Sequence, residues 1–338
     1  MNQPMKFNMT SFTSNRLLVI ISIVFLFLLP FLINDPYIWG ILVMANIYAA
    51  FGISFDLLFG FTGLAVLGFG LFVGIGAYAS AFLNLYLNIP PLLTMPISGL
   101  IGALFGLIIG IPCLRLKGLY LALASFAASA ICEKLVIVFN DFTQGREGLS
   151  GLSPISYNNY TNYYASLLLL LVSTGILLGI VKSKIGMILK SICDDEVAAK
   201  GVGINTNWYK LLTFLISSFL GGFWGSFLGH YMMHVGPGVF GLHMAITIFM
   251  VTIVGGIRTI IGPIGGAYLL IIMSELLRGI GEIRLLIYSI ITIIIYLLLP
   301  HGIIGPIIEN ISTGLRKLII LLGIKNQQGK DHEISRNS

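Results

Sequence analysis

Long apolar runs separated by short polar joints make up most of the chain. They cover residues 17–33, 38–59, 64–87, 92–111, 119–139, 165–181, 211–233, 244–257, 264–277 and 285–299. A helix needs about 20 apolar residues to cross roughly 30 Å of hydrocarbon, and most of these runs approach that length. Prolines mark many of the ends: Pro30, Pro36, Pro90 and Pro91, Pro112, Pro154, Pro237 and Pro300. The eighth and ninth runs are short and fit a re-entrant pair as well as two spans. Either way the parity of the chain is the same. The pattern predicts an all-α, polytopic membrane bundle of about 8–10 transmembrane helices.

One charged stretch inside this pattern, residues 182–208, does not read as membrane. Ile185, Ile188, Leu189 and Ile192 fall on one helical face. Asp194 reads as the N-cap of a second, short helix, with Asp195 and Glu196 in its first turn, where negative charge suits the helix dipole. Ala198 and Ala199 favour helix, and Gly201 or Gly203 can end it in a left-handed cap. The expectation is an amphipathic helical hairpin lying on the membrane surface. The plainer alternative is a capped connector between two spans.

Lys and Arg set the expected orientation. With the N-terminus inside, the inner segments hold Lys6, Arg16, Arg115, Lys117, Lys182, Lys184, Lys190, Lys200, Lys210, Arg258 and the basic tail. The outer segments and their edges hold only Lys134, Arg146, Arg278 and Arg284. This asymmetry satisfies the positive-inside rule and predicts that both termini and the hairpin are cytoplasmic. The expected organisation is a cytoplasmic N-terminal segment at 1–16, a membrane domain at 17–305 and a basic cytoplasmic tail at 306–338. Residues 17–33 read as a retained span because no small-residue cleavage signature follows them.

Composition agrees. The chain is 57% hydrophobic and 9% charged, with mean hydropathy +0.97, whereas soluble domains carry about 25% charged residues. No separate soluble domain remains once the spans are allotted. The net charge of +6 is spread over short loops, so it reads as a topology signal with no nucleic-acid partner implied. Cys113, Cys132 and Cys193 are scattered, without metal-ligand spacing, and no disulfide is expected.

Glycine recurs at helical spacing in Gly102, Gly106 and Gly110 and in Gly221, Gly225 and Gly229. Small residues so spaced let helix backbones approach in lipid, so packing is the favoured reading. The stretch 60–76 differs. Its glycines, with Thr62, weaken a helix at its start, and a broken helix at membrane depth must be buried in protein or line a water-filled path.

The chemistry-bearing residues are few. The chain has no GxxxxGK[ST] loop, so no ATP site of its own is expected. It has no HExxH motif and no defensible Ser/His/Asp grouping. His230, His234 and His243 bracket an outer turn and read as neutral interfacial residues. Asp56 closes the second run. Glu133 and Lys134 are adjacent and point to different faces, while Glu275 and Arg278 are placed to pair. No ladder of charges crosses the bilayer, which argues against a self-sufficient secondary transporter. A membrane enzyme would need convergent catalytic groups, and none are seen.

Several short segments, in order, resemble the permease subunit of branched-chain amino acid ABC importers, specifically the LivM-type member of the pair. They are LLFGFTG at 57–63, GIGAY at 74–78, LRLKGLY at 114–120 with Ala122-Leu123-Ala124, and TQGREGLSG at 143–151. Then come Asp195-Glu196, Ala198-Ala199, Gly203-Ile204-Asn205 and Tyr209-Lys210-Leu211, followed by VGG at 254–256, Gly262-Pro263 and SELLR at 274–278. The resemblance implies that 182–208 is the segment seating in a separate ATPase. Asp195, Glu196, Ala198, Ala199 and Gly203 would then be the coupling residues. It implies a substrate path past Gly60, Thr62, Gly63, Leu64, Val66 and Phe69. Its implied partners are a second permease subunit, two ATPase subunits and an extracytoplasmic amino-acid-binding protein in a bacterial inner membrane. It implies no cofactor bound by this chain, with ATP used by the partner subunits.

The chain departs from the family pattern where Asp56, Leu64, Val66 and Phe69 replace the usual Asn, Gln, Ser and His, and where His301 replaces a frequent Arg. The wall of the path is thereby more apolar, which favours Leu, Ile or Val as substrate. Urea and amide importers of the same fold are the alternative.

Overall fold

The computed structural model describes residues 35–116 and 118–280, with single positions at 27, 283, 286, 287 and 290. Apart from those positions, the expected first and last spans, the N-terminal segment and the basic tail lie outside the described residues. The described residues 35–280 fall in one compact unit, and the elements below belong to it.

Helix α1, Pro36–Thr62, is the central element. Asp35 caps it by accepting the Tyr37 amide at 2.9 Å, and Pro36 supplies a preset first turn. Val43, Ile47, Ala50, Phe51, Leu57 and Leu58 are all fully buried, as expected of a helix that is apolar all round. It stops at Gly63, which takes a left-handed φ of +70°. The chain is then irregular until a single 3-10 turn at Leu67–Phe69, and α2, Gly70–Leu87, follows. The expected run 64–87 is therefore a shorter helix with a broken entry. Next come α3 (Pro91–Cys113), α4 (Leu119–Val138) and the single turn α5 (Asn140–Thr143).

The polar loop after α5 contains β1, Leu149–Ser150, which pairs antiparallel with β2, His234–Val235, so that Leu149 faces Val235. Helix α6, Asn159–Lys182, leads into the surface hairpin of α7 (Lys184–Asp194) and α8 (Glu196–Gly201). Helix α9, Thr206–Met232, returns through the bundle. A 3-10 turn at Pro237–Phe240 precedes α10 (Leu242–Gly255) and α11 (Gly262–Leu276).

Among the described residues, six helices are long and apolar enough to cross a membrane. Helices α10 and α11, with 14 and 15 residues, reach only about 21–23 Å at 1.5 Å per residue. That falls short of the hydrocarbon core, as their short apolar runs implied.

Glycine brings α9 against α2 and α3. A Cβ on Gly225 would lie 2.2 Å from the Val73 carbonyl oxygen, and one on Gly102 would lie 2.7 Å from the Ser218 carbonyl oxygen. Backbone therefore meets backbone on both sides of α9, which is the packing role the spacing predicted. Helices α3, α4 and α6 turn Leu100, Leu104, Ile108, Leu123, Leu168 and Ile176 outward, the apolar faces required next to lipid.

Candidate functional site

The hairpin is built by local capping. Asp195, in extended conformation, is the N-cap of α8, and its Oδ1 accepts the amides of Val197 at 2.8 Å and Ala198 at 3.0 Å. The sequence placed that cap one residue early. Asp194 instead completes α7, and its carboxylate turns toward Arg258 at 3.1 Å. The hairpin closes at Gly203, with φ +85°. There the Gly203 amide donates to Lys200 O at 3.0 Å, and the Ile204 amide donates to Ala199 O at 3.1 Å. These two bonds are a Schellman closure. Asn205 then caps α9 by accepting the Trp208 amide at 3.2 Å.

Glu196 ties the hairpin to the bundle. Its carboxylate meets Lys200 at 2.9 Å and the buried Lys210 of α9 at 2.7 Å. Burial opposes ionisation of this carboxyl. Hydrogen bonds and charge from Lys210 and Lys200 outweigh that and hold its pKa at about 2.

Of the five coupling residues implied by the resemblance, Asp195, Ala198 and Gly203 are exposed. Glu196 is turned toward the lysines, and Ala199 is only 3% exposed, packed beneath the hairpin. The outer face carries three apolar side chains that the sequence reading passed over: Val197 at 74%, Val202 at 78% and Trp208 at 60% exposure. The signal for them was present, since each is a bulky apolar residue within the charged stretch 182–208.

The second site is the break after α1. The Thr62 hydroxyl donates back to Leu58 O at 2.6 Å, and Gly63 is exposed. Leu64, Val66 and Phe69 are buried within the chain, with the Phe69 ring edge-on to Phe55 and Phe72 at 5.8 and 5.9 Å. These three residues, expected along the path, pack against the chain's own interior.

The polar groups freed by the irregular backbone are met by α4. Ser125 Oγ accepts the Gly68 amide at 3.2 Å, and Ser129 Oγ donates to Phe240 O at 2.8 Å. Two buried serines, four residues apart on a lipid-spanning helix, thus satisfy two irregular segments, as membrane depth demands. Their i, i+4 spacing in an apolar run was the missed signal.

Asp56 lies six residues, almost two turns, before the end of α1 and is fully buried. It sits in a nest of three successive amides from the 256–261 loop. Oδ1 accepts Arg258 N at 2.9 Å, and Oδ2 accepts Thr259 N at 3.2 Å and Ile260 N at 3.0 Å. Gly60 makes room for this, because a Cβ there would lie 2.2 Å from Asp56 Oδ1 and 2.8 Å from Arg258 N.

At the opposite end of α1 a cavity of about 380 Å³ lies between α1, α9, α10 and α11. Met44, Met250 and Leu270 give it an apolar wall, and Tyr37, Glu275 and Arg278 line its polar side. Arg278 pairs with Glu275 at 3.0 Å, as the spacing predicted, and the Tyr37 hydroxyl donates to the same carboxylate.

Two other charged or polar positions differ from expectation. Glu133 and Lys134, although adjacent, meet at 3.4 Å. His230 is fully buried, not interfacial. Its Nδ1 donates to Ser153 O at 2.8 Å, which leaves Nε2 as an acceptor facing the Ser80 and Thr94 hydroxyls, each at 2.8 Å. It therefore joins α2, α3 and α9 to the polar loop.

The family profile described as the permease component of branched-chain amino acid transport systems matches residues 37–299. The high-affinity branched-chain amino acid transport system permease proteins LivM of Salmonella typhimurium and Escherichia coli are each 25% identical over 302 residues. The match covers 81% of this chain and 71% of theirs. A probable branched-chain amino acid transport permease protein LivH of Methanocaldococcus jannaschii is 25% identical over 291 residues, 79% of this chain and 91% of that one. No solved structure matches.

Proposed function

Since this chain belongs to the family of permease components of branched-chain amino acid transport systems, we propose that its 182–208 hairpin is the segment through which a separate ATPase drives import. The complete transporter would hold this chain, a second permease subunit, two ATPase subunits and an extracytoplasmic binding protein. ATP is hydrolysed on the partners, and the hairpin passes their closure to the spans as alternating access. The substrates are leucine, isoleucine, valine or related amino acids.

The observation that carries this reading is the build of the hairpin. It is capped at Asp195, closed at Gly203 and held to α9 by Glu196–Lys210. It nevertheless turns Val197, Val202 and Trp208 outward. A connector gains nothing from apolar side chains on its outer face, whereas a docking face needs apolar anchors ringed by polar groups.

The test is co-purification of the ATPase with Val197→Asp and Trp208→Ala permeases. Both variants should reach normal membrane levels, lose most of the bound ATPase and lose import. Undiminished ATPase capture by both would reduce the hairpin to a connector. Competition of labelled leucine uptake by excess urea, in reconstituted complex with several binding proteins, separates the amino acid importer from the urea or amide alternative.

A further inference from the structure

We infer that Arg258 is a positioning residue that links the hairpin to the helix break at Gly63. Movement imposed on α8 then reaches the end of α1 directly. The inference rests on the coupling role proposed for the hairpin and adds the path by which the movement travels inward.

Arg258 lies in the 256–261 loop between α10 and α11, and four of its groups are engaged at once. Its amide is held by the buried Asp56. Its guanidinium divides among three acceptors. Nε donates to Gly60 O at 3.0 Å, one Nη to Asp194 Oδ1 at 3.1 Å, and the other Nη to Cys193 Sγ at 2.7 Å. Gly60 O is among the last carbonyls of α1, where the negative end of the helix dipole favours a cation. Asp194 and Cys193 form the last turn of α7, and the next residue, Asp195, caps α8. No free linker intervenes between the outer face of the hairpin and the guanidinium.

Two observations independent of Arg258 place α7 on the same spot. A Cβ at Gly63 would lie 3.2 Å from Cys193 Sγ, so the last turn of α7 rests on the break itself. Lys190 Nζ lies 5.6 Å from the centre of the Phe61 ring, a cation–π contact from α7 to the last turn of α1. The loop also holds an unfavourable backbone to present this side chain. Arg258 and the β-branched Ile260 both adopt left-handed φ, +65° and +56°. Such strain persists only where the surroundings over-determine it, here the three amides on Asp56.

The linkage is suited to transmission rather than to stability. The Arg258 and Asp194 side chains are 45% and 67% exposed, and exposed ion pairs add little to folding. The planar fork nevertheless fixes three acceptors in one geometry, which a lysine ammonium cannot reproduce. The sequence reading counted Arg258 only as a topology determinant. Its partners lie 64, 65 and 198 residues away, so spacing carried no hint of them.

The experiment uses the complete transporter with Arg258→Gln and Arg258→Lys, reading ATP hydrolysed per leucine imported. Both variants should hydrolyse ATP at near the original rate and import less. The ratio should rise roughly 2- to 30-fold, the range for residues that carry coupling. Hydrogen exchange on the same samples should quicken together in 57–63 and 186–203, and not in α3 or α6. A merely structural role would lower abundance, hydrolysis and import in parallel and leave the ratio unchanged, which overturns the inference. Faster exchange in only one of the two segments overturns it as well. If the unmodified complex imports leucine without ATP, the coupling reading itself fails. The paired exchange change still decides whether Arg258 joins the two elements.

Discussion

A carboxylate at the buried end of an apolar helix persists only where donors surround it, and Asp56 has three backbone amides on its two oxygens. An Asn here would offer one accepting oxygen. Asp56→Asn therefore sets an amide NH2 against one or two loop amides and leaves them unsatisfied. The expected loss is about 1–3 kcal/mol, read as a lower unfolding temperature in detergent, and an unchanged midpoint would refute the nest.

Glu196 gives a second prediction at this scale. Its folded pKa of about 2 lies below the ordinary carboxyl value of 4.5. A depressed carboxyl contributes stability fully above the unfolded pKa, and the contribution is lost as pH falls toward the folded one. The hairpin should thus hold above about pH 4.5 and loosen between there and about pH 2. Pepsin cleavage within 196–203 should rise over that window, and Glu196→Gln should flatten the rise. The acidic cluster was legible in the sequence. The partner Lys210 was not, because it belongs to the next helix and is brought in only by the turn at Gly203.

At the scale of elements, helix ends decide the hairpin. The short helix and its glycine stop were legible because capping is local chemistry. The cap fell one residue from expectation because Asp194 has a distant partner, Arg258, and can therefore end α7 with its side chain turned away. Gly203 isolates the backbone contribution, since a Cβ there would meet no atom within 4 Å. Any penalty must come from its left-handed φ. Gly203→Ala should cost about 1–2 kcal/mol of local stability, while Gly203→Asn should cost less, because Asn visits that region more readily. Exchange protection of the 196–204 amides checks the order, and equal protection in the two variants would contradict it. The break after α1 was legible too, from the glycines and Thr62. Its burial was not, because Ser125 and Ser129 had to be recognised as partners for irregular backbone elsewhere in the chain.

At the scale of the whole molecule, the spans were the most legible feature, since lipid requires long apolar runs whatever the tertiary contacts. The candidate path was the least legible. Leu64, Val66 and Phe69 are apolar in sequence whether they line a route or fill a core, and in the folded chain they are buried. Orientation joins both kinds of evidence. Helix α6 has 24 residues, about 36 Å at 1.5 Å each, and separates Tyr157 at one end from Lys190 beyond the other. The hairpin end also gathers Arg115, Lys182, Lys184, Lys200, Lys210 and Arg258, whereas Lys134, Arg146 and Arg278 lie toward the far end. The positive-inside rule then predicts that the hairpin lies in the cytoplasm, where ATP is found. With Cys113, Cys132 and Cys193 replaced, Tyr157→Cys should react with an impermeant thiol reagent in intact cells. Lys190→Cys should react only after the membrane is opened. The reverse pattern would place the hairpin on the side without ATP, and no ATPase reached through it could drive import.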